Sequence, residues 1–407
     1  MFWGAGLELS TDGRLLLLRA KVLGGGSVVN QALMDRFDDN AWSDWRDRTG
    51  IPFFDSQAMS PHYDAVESSV FSRCLTPEQA GRNARLFVEG MEANGLQWSA
   101  LKRAQGECRN DRGSDCIVCL NGCPRDSKQS TLVTALRTAR SRGLQVQTGF
   151  HVEKVLDEAG AATVYGRQNG VAVEHRARRV VLAAALGNTA ILLRSGLGRE
   201  LPALGKGFTC HPQFMAFGFF KEPVDAHKGV FQGAKSADPS LRKMGVKLES
   251  VCCPPIAAAL VMPGKGVEHL AAMKRYRYMA SLEVAVRDEP AGTVRLNKRG
   301  LPSVDKTLTD IDCARRDAGL AVVRDVLEAA GAEQVIVSRQ PFGLHLMGGC
   351  RMGADSATSV VDPEFRVHGR PNISIADSSI FPSAPGINPW LSISALSHRA
   401  AQTMARS

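Results

Sequence analysis

The chain has 407 residues, of which 44% are hydrophobic and 22% charged, as is usual for a globular protein. Its formal net charge is +9, but the lysines and arginines are scattered, whereas nucleic-acid-binding proteins gather them in stripes between aromatic residues. No run reaches the roughly 18 apolar residues of a membrane-spanning helix. We therefore expect no nucleic-acid partner and no membrane span, although the basic surface is compatible with peripheral contact with an anionic membrane.

The first 30 residues predict a hairpin that runs into a glycine-rich loop. Asp12 and Gly13 form a turn signal between two strand-like runs. The loop "KVLGGGSVVN" follows, with consecutive glycines at positions 24–26. Because glycine has no Cβ, the backbone of such a loop can approach a large flat ligand closely. The loop is therefore a candidate ligand-binding surface.

Residues 130–205 have the pattern of a helix followed by strands and a βα unit. The segment "STLVTALRTARSRG" predicts a helix with an apolar stripe, capped by Ser130 or Thr131 and ended by Gly143. Strand-like runs come next, at residues 144–156 and 161–167. "RRVVLAAALGNTAILLRSG" then predicts a buried strand that enters a helix through a turn of small residues, as in doubly wound sheets.

From about residue 206 the pattern changes to that of an antiparallel sheet. Apolar and alternating runs, among them "QFMAFGFFKE" and "YMASLEVAVRD", are joined by a helix predicted over residues 310–330. A sheet with one covered face commonly roofs a pocket. From residue 341 the sequence is again rich in glycine and in motifs. We therefore divide the chain into residues 1–205, 206–340 and 341–407, with the last segment returning to the first domain.

The C-terminal segment carries two candidate functional residues. Asn388 followed by Pro389 predicts a helix N-cap, and such a helix start directs free N–H groups at an electron-rich ligand. His345 lies in "HLMGGC", beside two glycines, and the pattern leaves both a core histidine and a catalyst open. The helical spacing after Asn388 predicts a buried face made of Trp390, Ile393, Ser397, Ala400 and Met404.

Together these stretches resemble the glucose–methanol–choline (GMC) family of flavin-dependent alcohol oxidoreductases, over most of the chain. "RAKVLGGGSVVN" resembles the first flavin motif of the family. "RRVVLAAALGNTAILLRSG" resembles the second, with Ala184 in place of a usual glycine and Thr189 in place of a proline. "ALGKGFTCHP" resembles the start of the substrate domain, with Cys210 in place of a common aspartate. The C-terminal "HLMGGC", "IADSSIFP" and "GINPWLSISAL" are most similar to cholesterol oxidases and long-chain alcohol oxidases.

The resemblance implies an α/β (α+β) fold, with a doubly wound FAD-binding domain and an antiparallel-sheet substrate domain. It implies that His345 accepts or shares the substrate hydroxyl proton as hydride leaves carbon for flavin N5, while Asn388 orients that hydroxyl. It also implies that Val152 holds the adenine end of FAD through its backbone. The remaining cofactor-binding residues implied by the resemblance are Gly25, Gly26, Asn30, Asp377, Ser378 and Trp390.

The family places a strand–GxGxxG–helix unit, which binds the FAD pyrophosphate, before the glycine loop. Only 23 residues precede Gly24, and they contain "GAG" at positions 4–6 but no such fingerprint. We therefore expect an FAD-binding domain without its first βαβ unit, and a chain that binds FAD weakly by itself. A truncated GMC-like protein without flavin binding or catalysis is thus one alternative to an active enzyme.

A cysteine cluster suggests a second alternative. Cys116, Cys119 and Cys123, the last followed by proline, are spaced like part of a bacterial ferredoxin run, and Cys108 is a candidate fourth ligand. Zinc is another candidate occupant, and a loop of reduced thiols is the other interpretation. The cluster leaves a dehydrogenase with an iron–sulfur centre open. Since the other cysteines are dispersed and no signal-peptide pattern is present, we expect a cytoplasmic location.

The leading prediction is an FAD-dependent oxidoreductase acting on the CH–OH group of a sterol, a long-chain alcohol or another apolar alcohol. This substrate class depends on the similarity of the C-terminal motifs and on the apolar run "PPIAAALVM" at residues 254–262. The expected partners are the alcohol and an electron acceptor, for which oxygen, a quinone and a cytochrome all stay open.

Overall fold

A computed structural model describes residues 1–108, 119–120, 122–158 and 160–406 of the chain. The strands are β1 (Glu8–Leu9), β2 (Leu16–Leu17), β3 (Arg73–Cys74), β4 (Trp98–Ala100), β5 (Lys102–Arg103), β6 (Phe150–Glu158), β7 (Ala161–Gln168), β8 (Val171–Ala177), β9 (Val180–Leu182), β10 (Lys206–Phe208), β11 (Gln213–Phe219), β12 (Gln232–Ser236), β13 (Val246–Val251), β14 (Met279–Val286), β15 (Gly292–Leu296), β16 (Pro302–Asp305), β17 (Gln334–Val337), β18 (Phe342–Gly343), β19 (Arg366–Val367) and β20 (Arg370–Ile375).

The α-helices are α1 (Gly26–Val29), α2 (Asp39–Thr49), α3 (Ser56–Ser68), α4 (Pro77–Ala80), α5 (Arg82–Ala93), α6 (Ala135–Ser141), α7 (Leu186–Arg194), α8 (Pro239–Met244), α9 (Pro255–Val261), α10 (Gly266–Lys274), α11 (Asp310–Ala329) and α12 (Trp390–Arg406). Short 3-10 turns cover Trp3–Gly6, Ala226–Lys228, Tyr276–Tyr278 and Ser378–Ile380. In the described part of the chain, no helix combines the length and apolar character needed to cross a bilayer.

A large sheet contains most strands of residues 206–340, with the strand order β1-β2-β18-β11-β14-β13-β12-β4 and β17 paired to β11. Its central ladders are antiparallel, as predicted, and only the β18–β2 ladder in it is parallel among the described strands. β1, β2, β4 and β18 belong to segments outside residues 206–340, so this sheet extends beyond the predicted substrate segment.

The two faces of the central strands have different chemistry. Gly319 of α11 lies against Val284 and Val246, so this face is covered by a helix and belongs to an apolar core. Since side chains alternate along a strand, Glu283 of β14 and its register partner Glu249 of β13 point to the opposite face. Buried carboxylates therefore line the face of the sheet that is turned away from α11.

The rest of the chain contains the predicted βα unit. β9 pairs in parallel with β20, and α7 follows β9 after a short turn. A second core of aromatic residues joins α2 and α3 to the C-terminal segment, where Trp45 packs against Phe381 with ring centroids 4.5 Å apart. The mixed α/β fold class is confirmed, although parallel pairing on this side is a single ladder, β20 with β9, among the described strands.

Local predictions succeed where turns and caps decide them. β1 and β2 form the predicted hairpin, with Glu8 opposite Leu17. The predicted helix over residues 310–330 is α11, and Thr309 and Asp312 form a reciprocal capping box at its start. Gly143, with φ of +96°, lies two residues after Ser141, the last residue of α6.

Two helix predictions are wrong in detail. α6 begins at Ala135 rather than after Ser130 or Thr131, no side chain caps it, and none of its residues is buried. In α12 the buried residues are Leu391, Ser392, Ala395, Leu396 and Ala400, so the inward face is rotated from the predicted one. The physical reason is that α12 packs against both α3 and the β9–β20 side, which widens its buried surface beyond a single stripe.

Candidate active site

Side-chain hydrogen bonds hold the glycine loop in place at Gly24. The hydroxyl groups of Ser27 and Thr131 both donate to the Gly24 carbonyl, at 2.7 and 3.0 Å. A Cβ at Gly24 would lie 2.8 Å from Val28 and 2.9 Å from Leu132, and φ at this position is +90°. Both the positive φ and the close neighbours therefore require glycine at position 24.

The next two glycines have the opposite surroundings. A Cβ placed on Gly25 or Gly26 would meet no atom within 4 Å. Asn30, at the end of α1, accepts from Ala32 N through Oδ1 at 3.0 Å, and its carbonyl accepts from Lys128 Nζ at 2.8 Å. The loop thus offers bare backbone on a fixed support, which is what a flat ring system needs.

Asp377 and Ser378 connect this side of the fold to the histidine segment. The Asp377 carboxylate accepts from Ala185 N at 2.7 Å and from Asn188 Nδ2 at 2.8 Å, and it also caps the turn at Ser379. Ser378 donates to the Leu346 carbonyl at 2.8 Å. Both residues therefore hold backbone in place around the β9–α7 turn and the segment that carries His345.

His345 faces a second histidine, His211, which the sequence analysis did not single out. The Nδ1 atoms of His345 and His211 are 3.1 Å apart, and the rings meet edge to face. His211 Nε2 accepts from the backbone N–H of Gly386 at 2.9 Å. The pKa of His345 is lowered to about 3, because burial disfavours the charged ring and Lys247 adds positive charge nearby. His345 is therefore neutral at physiological pH.

Asn388 lies two residues beyond Gly386 and is 7% exposed. Its Nδ2 lies 3.3 Å from Oε1 of Glu249, whose other oxygen accepts from Gln232 Nε2 at 3.2 Å. The same Glu249 oxygen pairs with Lys247 Nζ at 3.0 Å, and the Asn388 group that faces it is the NH₂, which donates to it. Among the described residues none donates to or accepts from Asn388 Oδ1, and α12 begins at Trp390, so the predicted N-cap at Asn388 is wrong.

A buried charge network supports Glu249. Lys247 Nζ lies 3.0 Å from Glu249 and 2.8 Å from Asp35, and Lys235 also pairs with Asp35. Burial alone would raise the pKa of Asp35, but Lys247 and Lys235 outweigh it and lower the pKa to about 2. Burial, together with the charge of Glu249, raises the pKa of Glu283 well above its usual range. The surroundings of Glu283 therefore favour the neutral form of its carboxyl group.

Val152 and Trp390, the remaining predicted cofactor-binding residues, lie in two different elements of the fold. Val152 lies in β6, is half-buried and packs against the FAD-side core, where the β6–β7 register shifts between Val152 and Lys154. Trp390 begins α12, and its buried indole N–H has no acceptor within the described ranges. An orphaned buried donor and the open face of Gly25 and Gly26 fit a polar, flat cofactor.

The cysteine cluster falls only partly within the described residues. Cys116 lies outside them. Cys119 is buried and its carbonyl accepts from Lys128 Nζ at 2.6 Å, while Cys108 and Cys123 are half-buried. Considering only the residues the structure describes, no three histidine, cysteine or acidic side chains gather as metal ligands. The metal prediction thus stays untested at Cys116.

His211, Glu249 and Gln232 are the residues that sequence reasoning missed. His211 carried one usable signal, because it lies in "ALGKGFTCHP", a stretch that already resembled a family motif. Glu249 and Gln232 lie in ordinary strand sequence. Their proximity to Asn388 depends on the pairing of β12 with β13, which no local pattern reports.

The described residues thus contain a glycine loop with an open face and a separate buried group of histidine, asparagine and glutamate side chains, a combination that suits an oxidoreductase with a flat cofactor. Family models for GMC oxidoreductases match residues 1–213 and 288–397. An uncharacterized GMC-type oxidoreductase of Mycobacterium tuberculosis is 31% identical over 100% of this chain and 68% of its own length. Long-chain-alcohol oxidase FAO4B of Arabidopsis thaliana is 25% identical over 95% of this chain and 58% of its own.

Solved structures agree on the fold. Pyridoxine 4-oxidase from Mesorbium loti aligns with a TM-score of 0.73 at 17% identity, covering 98% of this chain and 88% of that one. Formate oxidase aligns with a TM-score of 0.68 at 14% identity, covering 96% and 84%. The chain belongs to the GMC oxidoreductase family, and its cofactor is FAD.

The residues present fit the ring end of FAD. Gly25, Gly26 and the Asn388–Trp390 helix start are the groups that would hold it. Residues 1–23 contribute the turn Trp3–Gly6 and the β1–β2 hairpin, not a glycine-loop and helix unit for a pyrophosphate. The expectation of weak FAD binding by this chain thus stays a prediction.

Proposed function

We propose that the protein oxidises the CH–OH group of an alcohol with FAD as hydride acceptor. The observation that carries this proposal is the contact chain that joins His345 to Asn388. His345 touches His211, His211 bonds to Gly386 N, and Asn388 follows two residues later. FAD, when bound, supplies the acceptor for hydride, and the chain's own residues bind and orient the hydroxyl group.

The two side chains offer complementary groups to a hydroxyl. Asn388 has a free carbonyl oxygen, which can accept the hydroxyl hydrogen. His345 is neutral, so it can exchange hydrogen bonds with the hydroxyl oxygen without placing a second buried positive charge beside Lys247. Together they would share the proton of the substrate hydroxyl, which is the role the family resemblance implies for them.

The substrate class is a narrower proposal. The long-chain-alcohol oxidases among the relatives support an apolar primary alcohol. The run "PPIAAALVM" does not support an apolar substrate, because it forms α9, where Ile256 and Leu260 are 79% and 61% exposed. The oxidases among the relatives and solved neighbours also favour oxygen over a quinone or a cytochrome as electron acceptor.

The direct test is anaerobic flavin reduction. FAD binding is first measured by titration of the purified full chain, which tests the alternative of a chain without flavin. The loaded protein is then mixed with primary alcohols of increasing chain length, with a sterol, and with a sugar. We expect loss of flavin absorbance with long-chain alcohols, followed by reoxidation on admitting oxygen. A flavin-loaded protein that no alcohol reduces would contradict the proposal.

Glu249→Gln is expected to slow flavin reduction by up to about 10²-fold, the cost of misplacing a reacting group. A glutamine amide can donate or accept, so the Asn388 amide is no longer held with its oxygen free. Lys247 keeps its partner Asp35, so folding should survive. The measurement is the rate constant for flavin reduction, with Glu268→Gln on the exposed surface of α10 as control. Equal rates of flavin reduction in the two variants would show that Glu249 does not orient the Asn388 amide.

A further inference from the structure

His211 lies in a chain of three hydrogen-bonding groups that ends at His345. The Gly386 N–H donates to His211 Nε2 at 2.9 Å. On the other side of the ring, His211 Nδ1 is 3.1 Å from His345 Nδ1. Because a backbone N–H can only donate, His211 Nε2 must be the bare, accepting nitrogen.

The positions of the other ring N–H hydrogens follow from the number of hydrogens that each ring carries. A neutral imidazole carries one N–H, so the hydrogen of His211 is on Nδ1. This nitrogen therefore donates to His345 Nδ1, which must be bare. The single hydrogen of a neutral His345 is then on Nε2. No other arrangement of two neutral rings satisfies both contacts.

The backbone conformation of His211 is fixed by neighbouring residues. Its backbone has φ of +46°, a left-handed conformation that is rare for histidine. The Asp288 carboxylate accepts from the His211 backbone N–H at 3.0 Å and pairs with Lys306 at 2.8 Å. The Asp288 and Lys306 side chains are both fully buried. A buried ion pair thus fixes the backbone from which the His211 ring projects.

We propose that His211 is a positioning residue that fixes the tautomer of His345, so that His345 presents an N–H at Nε2. The catalytic meaning of this tautomer rests on the proposed function, whereas the tautomer itself does not. With Asn388 presenting its carbonyl oxygen, a bound hydroxyl accepts from His345 and donates to Asn388. His345 can receive a proton at Nε2 only after that hydrogen has moved to Nδ1, which requires the contact with His211 to open.

The charged groups around the two rings agree with this assignment. Lys247 faces the pair from β13, and Arg242 and Arg287 add positive charge on the side of His211. Burial is the main cause that lowers the pKa of both rings; Lys247 adds to it for both, and His345, Arg242 and Arg287 add to it for His211. Neither ring therefore holds a second proton at neutral pH. The counting argument for two neutral rings therefore applies under physiological conditions.

The tautomer can be read directly by ¹⁵N NMR. The full chain is labelled with ¹⁵N-histidine, and long-range ¹H–¹⁵N spectra are recorded near pH 7. Signals of His345 and His211 are assigned by their loss in His345→Gln and His211→Gln. We expect His345 with a protonated Nε2 and a bare Nδ1, and His211 with the reverse. His345 protonated on Nδ1 would overturn the proposal, whatever the enzyme's activity.

A matched variant separates this role from general structural support. His211→Phe keeps a ring but removes both nitrogens, so His345 should show a mixture of tautomers. The control is His62→Phe, because His62 forms a similar pair with His398, at 3.0 Å between Nδ1 atoms, elsewhere in the fold. Unchanged His345 signals in His211→Phe would refute the proposal. If that variant does not fold, the spectrum of the unsubstituted protein still decides.

Discussion

His345→Ala is expected to lower the rate of flavin reduction by alcohol by at least about 10³-fold. General acid–base catalysis alone accounts for roughly 10²–10⁴-fold, and loss of hydroxyl positioning adds to it. The ring is the only group that contacts His211 Nδ1 among the described residues, so its removal also frees His211. The measurement is single-turnover reduction of the FAD-loaded protein, with substrate affinity obtained from its concentration dependence.

Two controls make the result specific. His269→Ala, in α10 on the surface of the substrate side, removes the same side chain from a site with no proposed role. FAD binding by His345→Ala, measured by titration, shows whether the cofactor site is intact. Reduction within about tenfold of the unsubstituted rate, with normal FAD binding, would show that His345 is not the catalytic histidine.

Lys306→Met is expected to cost about 3–5 kcal/mol of unfolding free energy, the usual range when one partner of a buried ion pair is removed. Lys306 Nζ lies 2.8 Å from Asp288 and 3.7 Å from Asp312, and all three side chains are 0% exposed. It also donates to the Glu289 carbonyl at 2.7 Å. Methionine has a similar length but leaves two carboxylates without a cation. Denaturant unfolding of the two proteins measures the difference.

The loss should also depend on pH. Burial raises the pKa of Asp288, and Lys306 opposes that effect. Without Lys306 the pKa of Asp288 in the folded protein rises further. As the pH falls from 8 to 5, this carboxyl group takes up a proton in the folded protein and its uncompensated buried charge is removed. The loss of unfolding free energy caused by Lys306→Met should therefore shrink over this range. Lys221→Met is the control, since Lys221 is 83% exposed and its ion pair is worth at most about 1 kcal/mol. Equal losses for both variants would contradict the prediction.

Short-range patterns in this sequence were reliable where the interaction partners are neighbours in the chain. The β1–β2 hairpin depends on the turn at Asp12 and Gly13, and α11 on the capping box of Thr309 and Asp312. The resemblance to the GMC family was carried by such short motifs, and the family models confirm it. These features depend on backbone conformation and local hydrogen bonds, which a few consecutive residues determine.

Patterns failed where burial depends on a distant element. The stripe of α6 predicts a buried face, yet none of the residues of this helix is buried against the part of the chain that the structure describes. The apolar run at residues 254–262 suggested a substrate pocket, but α9 turns Ile256 and Leu260 outward. Hydrophobic periodicity reports that a face could be buried, and only packing decides whether it is.

The sequence by itself determined the family, the cofactor class and the two side chains, His345 and Asn388, on which the proposed chemistry depends. Only the tertiary structure decided how those two groups are presented. It brings His211 beside His345 and Glu249 beside Asn388, and the two members of each pair are over 100 positions apart in the chain. The physical reason is that hydrogen-bond direction depends on the partner, and partners from different strands meet only after the sheet has formed.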